Sequence, residues 1–186
     1  MAEGKLFVIS GASGVGKGTV LKAVMQGHDD FAFSVSATTR AARPGEVEGE
    51  SYYFVSKEKF EDMIEKGEFL EYDNHAANYY GTPRSQVEEK LARGHVFLDI
   101  EPNGARAVKA AAPDAVLIFI MPPDLKELRR RLEGRGDTSP EQIKMRMERA
   151  TWEMEQSAWY DYTVVNDQVD RCAAEILNIV AQEADK

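Results

Sequence analysis

The chain has 186 residues, 43% of them hydrophobic and 30% charged, enough for one soluble domain with a full core and too few for two comfortable ones. Its net charge of −9 argues against nucleic acid or an anionic membrane as the main partner, so any phosphate must be bound by a few local basic groups. No apolar run approaches the roughly 20 residues of a membrane span and none near the N-terminus has signal-peptide length; the single cysteine, Cys172, leaves no internal disulfide, and the composition suits a cytoplasmic protein.

In chain order, the apolar run Leu6-Phe7-Val8-Ile9 is expected to be a buried strand, and Val20, Leu21, Val24 and Met25 carry the spacing of a helix ending near Gln26-Gly27. Between them stands Gly11-Ala12-Ser13-Gly14-Val15-Gly16-Lys17-Gly18-Thr19. Strand, glycine-rich loop and helix are the context of a P-loop. Its glycines let consecutive backbone N–H groups turn around phosphate oxygens, the following helix aims its positive end at the same anion, and Lys17 adds a compact charge over the outer phosphates. The motif is complete through Lys17, but its last position, normally a hydroxyl that ligates magnesium, is Gly18, with Thr19 next.

Residues 31–39 alternate apolar and small polar side chains and predict one strand running into the loop from Arg40 to Glu50, where Pro44-Gly45 marks a turn. Arg40 and Arg43 on that loop can form a fork for one phosphate or remain two solvated arginines. Tyr52 to Val55 predicts a short strand, Lys57 to Lys66 an amphipathic helix ended by Gly67, and Phe69 to Tyr72 another strand. Asn78 to Pro83 reads as a tight aromatic turn. Tyrosines beside polar residues suit a pocket for a planar base as well as they suit packing in a small sheet.

Arg84 to Arg93 predicts a helix, and His95 to Glu101 a core strand whose end carries Asp99 and Glu101, where ligands of an open parallel sheet sit. A helix from Asn103 to Ala111, a buried strand from Ala115 to Ile120 and a helix capped by Asp124 follow. Gly134 to Pro140 then links to a long helix from Glu141 to about Gln156 that bears Arg146 and Arg149. A last strand and turn occupy Tyr162 to Asp167 and a closing helix runs from Val169 to about Glu183, with Cys172 on its apolar side as a buried structural thiol. His28, His75 and His95 lack metal-ligand spacing. The alternation predicts an α/β fold, a P-loop parallel sheet flanked by helices, interrupted between about 36 and 84 by strand-rich material.

The P-loop together with Ser36-Ala37-Thr38-Thr39-Arg40-Ala41-Ala42-Arg43-Pro44-Gly45-Glu46, Asn78-Tyr79-Tyr80-Gly81-Thr82, Leu98-Asp99-Ile100-Glu101, Arg135-Gly136 and Asn166-Asp167, in this order, resembles the guanylate kinases from about residue 5 to about residue 180. The resemblance implies ATP:GMP phosphoryl transfer in purine metabolism with magnesium accompanying ATP, small-molecule partners only, and a monomer or homodimer. It implies a core at about 1–35, 85–130 and 150–186, an inserted mixed-sheet GMP-binding segment at about 36–84 and a helical lid at about 131–149.

By the same resemblance Arg40, Arg43, Tyr52 and Tyr80 take the GMP phosphate, and Ser36, Glu71, Thr82 and Glu101 the guanine. A carboxylate such as Glu71 accepts from both N1–H and the 2-amino group of guanine, donors that adenine does not present together, while the hydroxyls of Ser36 and Thr82 can donate to O6. Residues 11 to 19 hold the ATP phosphates, Lys17 among them. Arg135 and Arg146 resemble the lid arginines, with Arg131 and Arg149 weaker members of the cluster. Asp99 holds magnesium through water and Asn166 borders the adenine pocket. Against the family pattern, Glu101 stands where many relatives carry Asp, Pro102-Asn103-Gly104 replaces an apolar-Gln-Gly run, and Arg135-Gly136-Asp137-Thr138 inverts a Thr-Asp order. A binding module without catalysis is disfavoured because Lys17, Arg135 and Arg146 are present. Kinases for other nucleoside monophosphates are disfavoured by Glu71 with Ser36 and Thr82.

Overall fold

The computed structural model describes residues 4–75, 77–134 and 139–186. The apolar run near the start forms β1 (Leu6–Gly11) at the centre of a parallel sheet. It is flanked on one side by β7 (His95–Asp99) and then β2 (Phe31–Phe33), on the other by β8 (Val116–Met121) and then β9 (Tyr162–Val165). Strands this apolar must be covered on both faces. Phe7 and Ile9 point to one face, where they share a core with Val20, Leu21 and Val24 of α1 (Lys17–Met25), Leu128 and Leu132 of α5 (Leu125–Glu133), Ala150 of α6 (Pro140–Glu155) and the apolar stripe of α7 (Val169–Ala184). Leu6 and Val8 point to the other, against Val87 of α3 (Arg84–Leu91) and Ala105 and Val108 of α4 (Pro102–Ala111). Cys172 is fully buried in the first core, and burial pushes its thiol up to about 11, the character of a structural rather than a reactive cysteine.

Helix starts follow local chemistry. Asp124 accepts from the Glu127 N–H at 2.7 Å, and Ser139 and Gln142 form a reciprocal capping box at the start of α6.

A second sheet, ordered β4-β3-β6-β5, is built from β3 (Ala37–Thr38), β4 (Tyr53–Phe54), β5 (Phe69–His75) and β6 (Asn78–Pro83), with α2 (Lys57–Glu65) against it. Two expectations change here. The single strand expected over 31–39 divides, its first part in the large sheet and its second in the small one. Between them the Gln86 carboxamide accepts from Val35 N–H at 2.8 Å and donates to Val35 C=O at 2.7 Å, supplying the pairing a neighbouring strand would have given. The expected aromatic turn at 78–83 is instead the strand β6, antiparallel to β5. Its consecutive tyrosines are a period-two pattern: the Tyr79 ring stacks on Phe60 at 5.1 Å, whereas Tyr80 faces Tyr52 at 6.1 Å.

The small sheet has its own core, in which Phe60, Phe69 and Ala37 are the buried members, with the Phe60 and Phe69 rings stacked at 4.4 Å. So few buried groups leave it dependent on one ring. Phe60→Ala is expected to cost about 3–5 kcal/mol. In hydrogen exchange the amides of β5 and β6 should lose protection first while those of β1 and β8 keep theirs.

Candidate active site

At the carboxyl end of β1 the chain turns through Gly14 and Gly16, both left-handed at φ 86° and 91°, a conformation that favours glycine. The loop is fixed from behind. Val15 C=O accepts from Asn166 Nδ2 at 2.8 Å and from Arg131 Nη1 at 3.0 Å, and Arg131 Nη2 donates to Asn166 C=O at 3.0 Å. Asn166 is buried, so its side-chain amide is engaged in shaping the loop. From the open side, Arg146 approaches Ser13 Oγ with Nε and Nη2, each at 3.4 Å. A cleft of about 610 Å³ lies over residues 11 to 19 and is also lined by Lys22, Glu101, Arg146, Arg149 and Glu153. Gly18 and Thr19 are exposed at the start of α1, and a Cβ on Gly18 would meet nothing within 4 Å.

The β1–β7 pairing sets Ile9 against Asp99, so the end of β7 emerges beside the loop. Lys17 Nζ meets Asp99 Oδ1 at 2.5 Å. Two residues on, Glu101 Oε1 meets Arg149 Nη2 at 2.5 Å.

On the far side of Asp99 and Glu101 a second cleft of about 300 Å³ opens between the two sheets, with Ser36, Tyr52, Glu71 and Tyr80 in its lining. Glu71, 8% exposed, accepts from Thr82 Oγ1–H at 2.6 Å. Burial raises the Glu71 pKa, only partly opposed by that hydrogen bond. The single hydroxyl proton of Thr82 is thus directed at the carboxylate, which it orients, rather than at the open cleft. Arg40 is not in the lining of that cleft but lies over the ring of Tyr52, which is, 5.3 Å from its centroid. Arg43 is exposed, with its backbone N–H donated to Glu46 Oε2 at 2.7 Å. Arg135 lies outside the described residues.

A family model described as guanylate kinase matches residues 3–183. Proteins named guanylate kinase from Lactiplantibacillus plantarum and Thermus thermophilus are 51% identical over 183 residues and 50% identical over 182 residues. The matches cover 97% of this chain in both cases, and 89% and 82% of the relatives. The chain belongs to the guanylate kinase family. The crystal structure of guanylate kinase from Anaplasma phagocytophilum superposes with a TM-score of 0.79 at 34% identity, covering 100% of this chain and 89% of that one.

As a guanylate kinase the chain has features that its motifs alone did not reveal. Glu153, 4% exposed, accepts from the Ser13 N–H at 2.7 Å and from Arg149 Nε at 3.1 Å. Its spacing from Arg149 on one helix face was a readable ion-pair signal, but its place under the P-loop was not. Asp73, Asn103 and Gly104 join the lining of the second cleft. The Pro102-Asn103-Gly104 run also finds its reason. Pro102 occupies the first turn of α4, where its missing N–H is no loss. Gly104 leaves room for Glu71, since a Cβ there would lie 3.0 Å from Glu71 Oε2.

Glu71→Gln separates stability from recognition. Its raised folded-state pKa means that the neutral form is favoured in the fold, so this group's contribution to stability is full below the unfolded pKa and is lost as pH rises through the folded value. At pH 7 the substituted protein should therefore melt no lower than the parent in the absence of substrate. Its kcat/KM for GMP should fall roughly 100-fold or more through loss of a charged acceptor. Parent activity should likewise fall as acid protonates Glu71, with an apparent pKa above 4.5. Calorimetry and initial rates across pH check both parts.

Proposed function

We propose how this chain, a guanylate kinase that catalyses ATP:GMP phosphotransfer, divides that reaction among its residues. The ATP phosphates lie in the P-loop cleft lined by residues 11 to 19, held by those backbone N–H groups of the loop that the chain does not itself engage, as it does those of Ser13 and Val15, and by Lys17, with Asn166 and Arg131 keeping the loop in shape from behind. GMP lies in the second cleft. Glu71, oriented by Thr82, accepts from guanine N1–H and the 2-amino group, with Ser36 and Glu101 at the base edge and Arg40, Arg43, Tyr52 and Tyr80 at the phosphate. The observation that carries this reading is the seam between the clefts: Glu101 lines both, and Lys17 of one touches Asp99 of the other.

A GMP phosphate oxygen then attacks the γ-phosphorus in line, the bond to the ADP oxygen breaks, and the products are ADP and GDP. The transferring group is rich in negative charge and needs positioning and neutralisation rather than a covalent nucleophile. Lys17 supplies the first charge, and Arg146, with Arg135 and Arg149, supplies the rest. Excluding water from the substrate-filled clefts keeps it from replacing GMP as acceptor.

The donor set suits magnesium carried on ATP. Asp99 is a half-exposed carboxylate beside Lys17, and magnesium typically keeps several waters and takes one or two carboxylates plus substrate phosphates. Asp99 would hold it through water, Gly18 offering no hydroxyl; the ion would neutralise charge on the β- and γ-phosphates.

Lys17→Ala is expected to lower kcat about 10²- to 10³-fold, as for loss of one preorganised charge stabiliser, with circular dichroism and melting nearly unchanged. Unaltered turnover in the folded variant would remove Lys17 from the mechanism.

A further inference from the structure

Arg43-Pro44-Gly45-Glu46 is a tight turn closed by Glu46 N–H to Arg43 C=O at 3.0 Å, with Gly45 at φ 88°, the arrangement that Pro-Gly favours in a type II turn. The turn folds the Glu46 side chain back over the loop. Its Oε1 accepts from Arg40 Nη2 at 2.7 Å, and its Oε2 accepts both from Arg40 Nη1 at 3.0 Å and from the Arg43 N–H at 2.7 Å. Arg40 Nη1 gives its other hydrogen to Ala41 C=O at 2.8 Å. The pair is mostly shielded, with side-chain exposures of 14% and 21%.

A guanidinium has five N–H bonds. Glu46 and Ala41 take both on Nη1 and one on Nη2. The Nε–H and the second Nη2–H, which neither of these residues takes, lie along one edge and form a fork spaced for two oxygens of a single phosphate, with the Tyr80 hydroxyl a further hydrogen-bond partner of the guanidinium. The Tyr52 ring lies across the guanidinium plane. Tyr80 lines the second cleft with Tyr52, and its hydrogen bond to Arg40 adds to the rise that the Glu46 hydrogen bond causes in the Arg40 pKa. Glu46 thus engages the edge of Arg40 that the acceptor phosphate does not need.

We propose that Glu46 is a positioning residue for the acceptor phosphate: it anchors Arg40 and the Arg43 backbone so that Arg40 presents its Nε–Nη2 edge to the phosphate of GMP. The proposal deepens the reading above and rests on its assignment of Arg40. Without Glu46 a long, rotamer-rich side chain loses its fixed orientation and must be ordered again when GMP binds. Glu46 is not displaced by the phosphate, because the two anions use different edges. The effect is confined to the phosphate, since the base is held by Glu71 in another part of the cleft.

The test is Glu46→Gln, whose amide nitrogen cannot accept from a guanidinium N–H, with Glu46→Asp as the variant that restores the charge. Titration calorimetry with GMP and with guanosine, which has no phosphate, separates the two halves of the ligand. Glu46→Gln should weaken GMP binding about 10- to 100-fold and leave guanosine binding unchanged. In kinetics the loss should fall on KM for GMP rather than on kcat or KM for ATP, and Glu46→Asp should recover part of it. GMP binding by Glu46→Gln as tight as the parent's, or tighter, would overturn the proposal, the latter by showing that Glu46 competes with phosphate. Equal loss of guanosine and GMP would overturn it in favour of a general structural role. A parent protein that bound GMP no better than guanosine would overturn it together with the reading of Arg40, which distinguishes that failure from failure of the Glu46 step alone.

Discussion

The pairing of β1 with β7 is the constraint on which the site depends. Ile9 opposite Asp99 brings two parallel strands to an end side by side, one continuing into the P-loop and the other into Glu101 and α4. Parallel strands present their carboxyl ends, and the helix N-termini that follow, on the same edge of the sheet. A slip of one residue would exchange the faces of Phe7, Ile9, Val96 and Leu98 and break both cores. The hydrophobic alternation that builds the sheet therefore also fixes Lys17 against Asp99.

Around that edge an acidic protein must keep cations in place for anionic substrates. It does so by giving them internal carboxylate partners. Lys17 lies on Asp99, Arg149 on Glu101 and Glu153, Arg131 on Glu127, and Arg40 on Glu46. Most of these pairs are partly exposed and stabilise the fold little by themselves. Their greater effect is orientation: a paired guanidinium has fewer rotamers to lose when a phosphate arrives. The partners differ in consequence, since Asp99 occupies a position where an incoming phosphate would compete for the lysine, whereas Glu46 occupies the rear of its arginine.

The large sheet, its helices and the P-loop were legible because each rests on local signals: apolar runs, helical spacing, and glycines before a lysine. The small sheet was less so. Residues 78–83 read as a turn because Asn, Tyr and Gly carry turn chemistry, and the strand exists only because β5 and β3 pair with it from either side. The break after Phe33 was hidden for a similar reason, since the amide that replaces the missing strand comes from Gln86, far along the chain. Glu71, Ser36, Tyr52, Tyr80 and Glu101 were named from motif order, and they meet in one cleft. Glu153 was not named, and Glu46 and Gly104 stood only as members of motifs with no role of their own, because what matters about them is a side-chain contact or close approach that the motifs do not record.

The measurement that tests the central claim most directly is ADP release from Mg-ATP by the purified protein, with GMP, AMP, CMP, UMP and dTMP supplied separately. A cleft whose buried carboxylate awaits two neighbouring donors on the base predicts strong turnover with GMP and little with the other four. Comparable turnover with AMP or a pyrimidine nucleotide would contradict the assignment of Glu71, and no turnover with any of them, alongside tight GMP binding, would contradict phosphoryl transfer as the function of this fold.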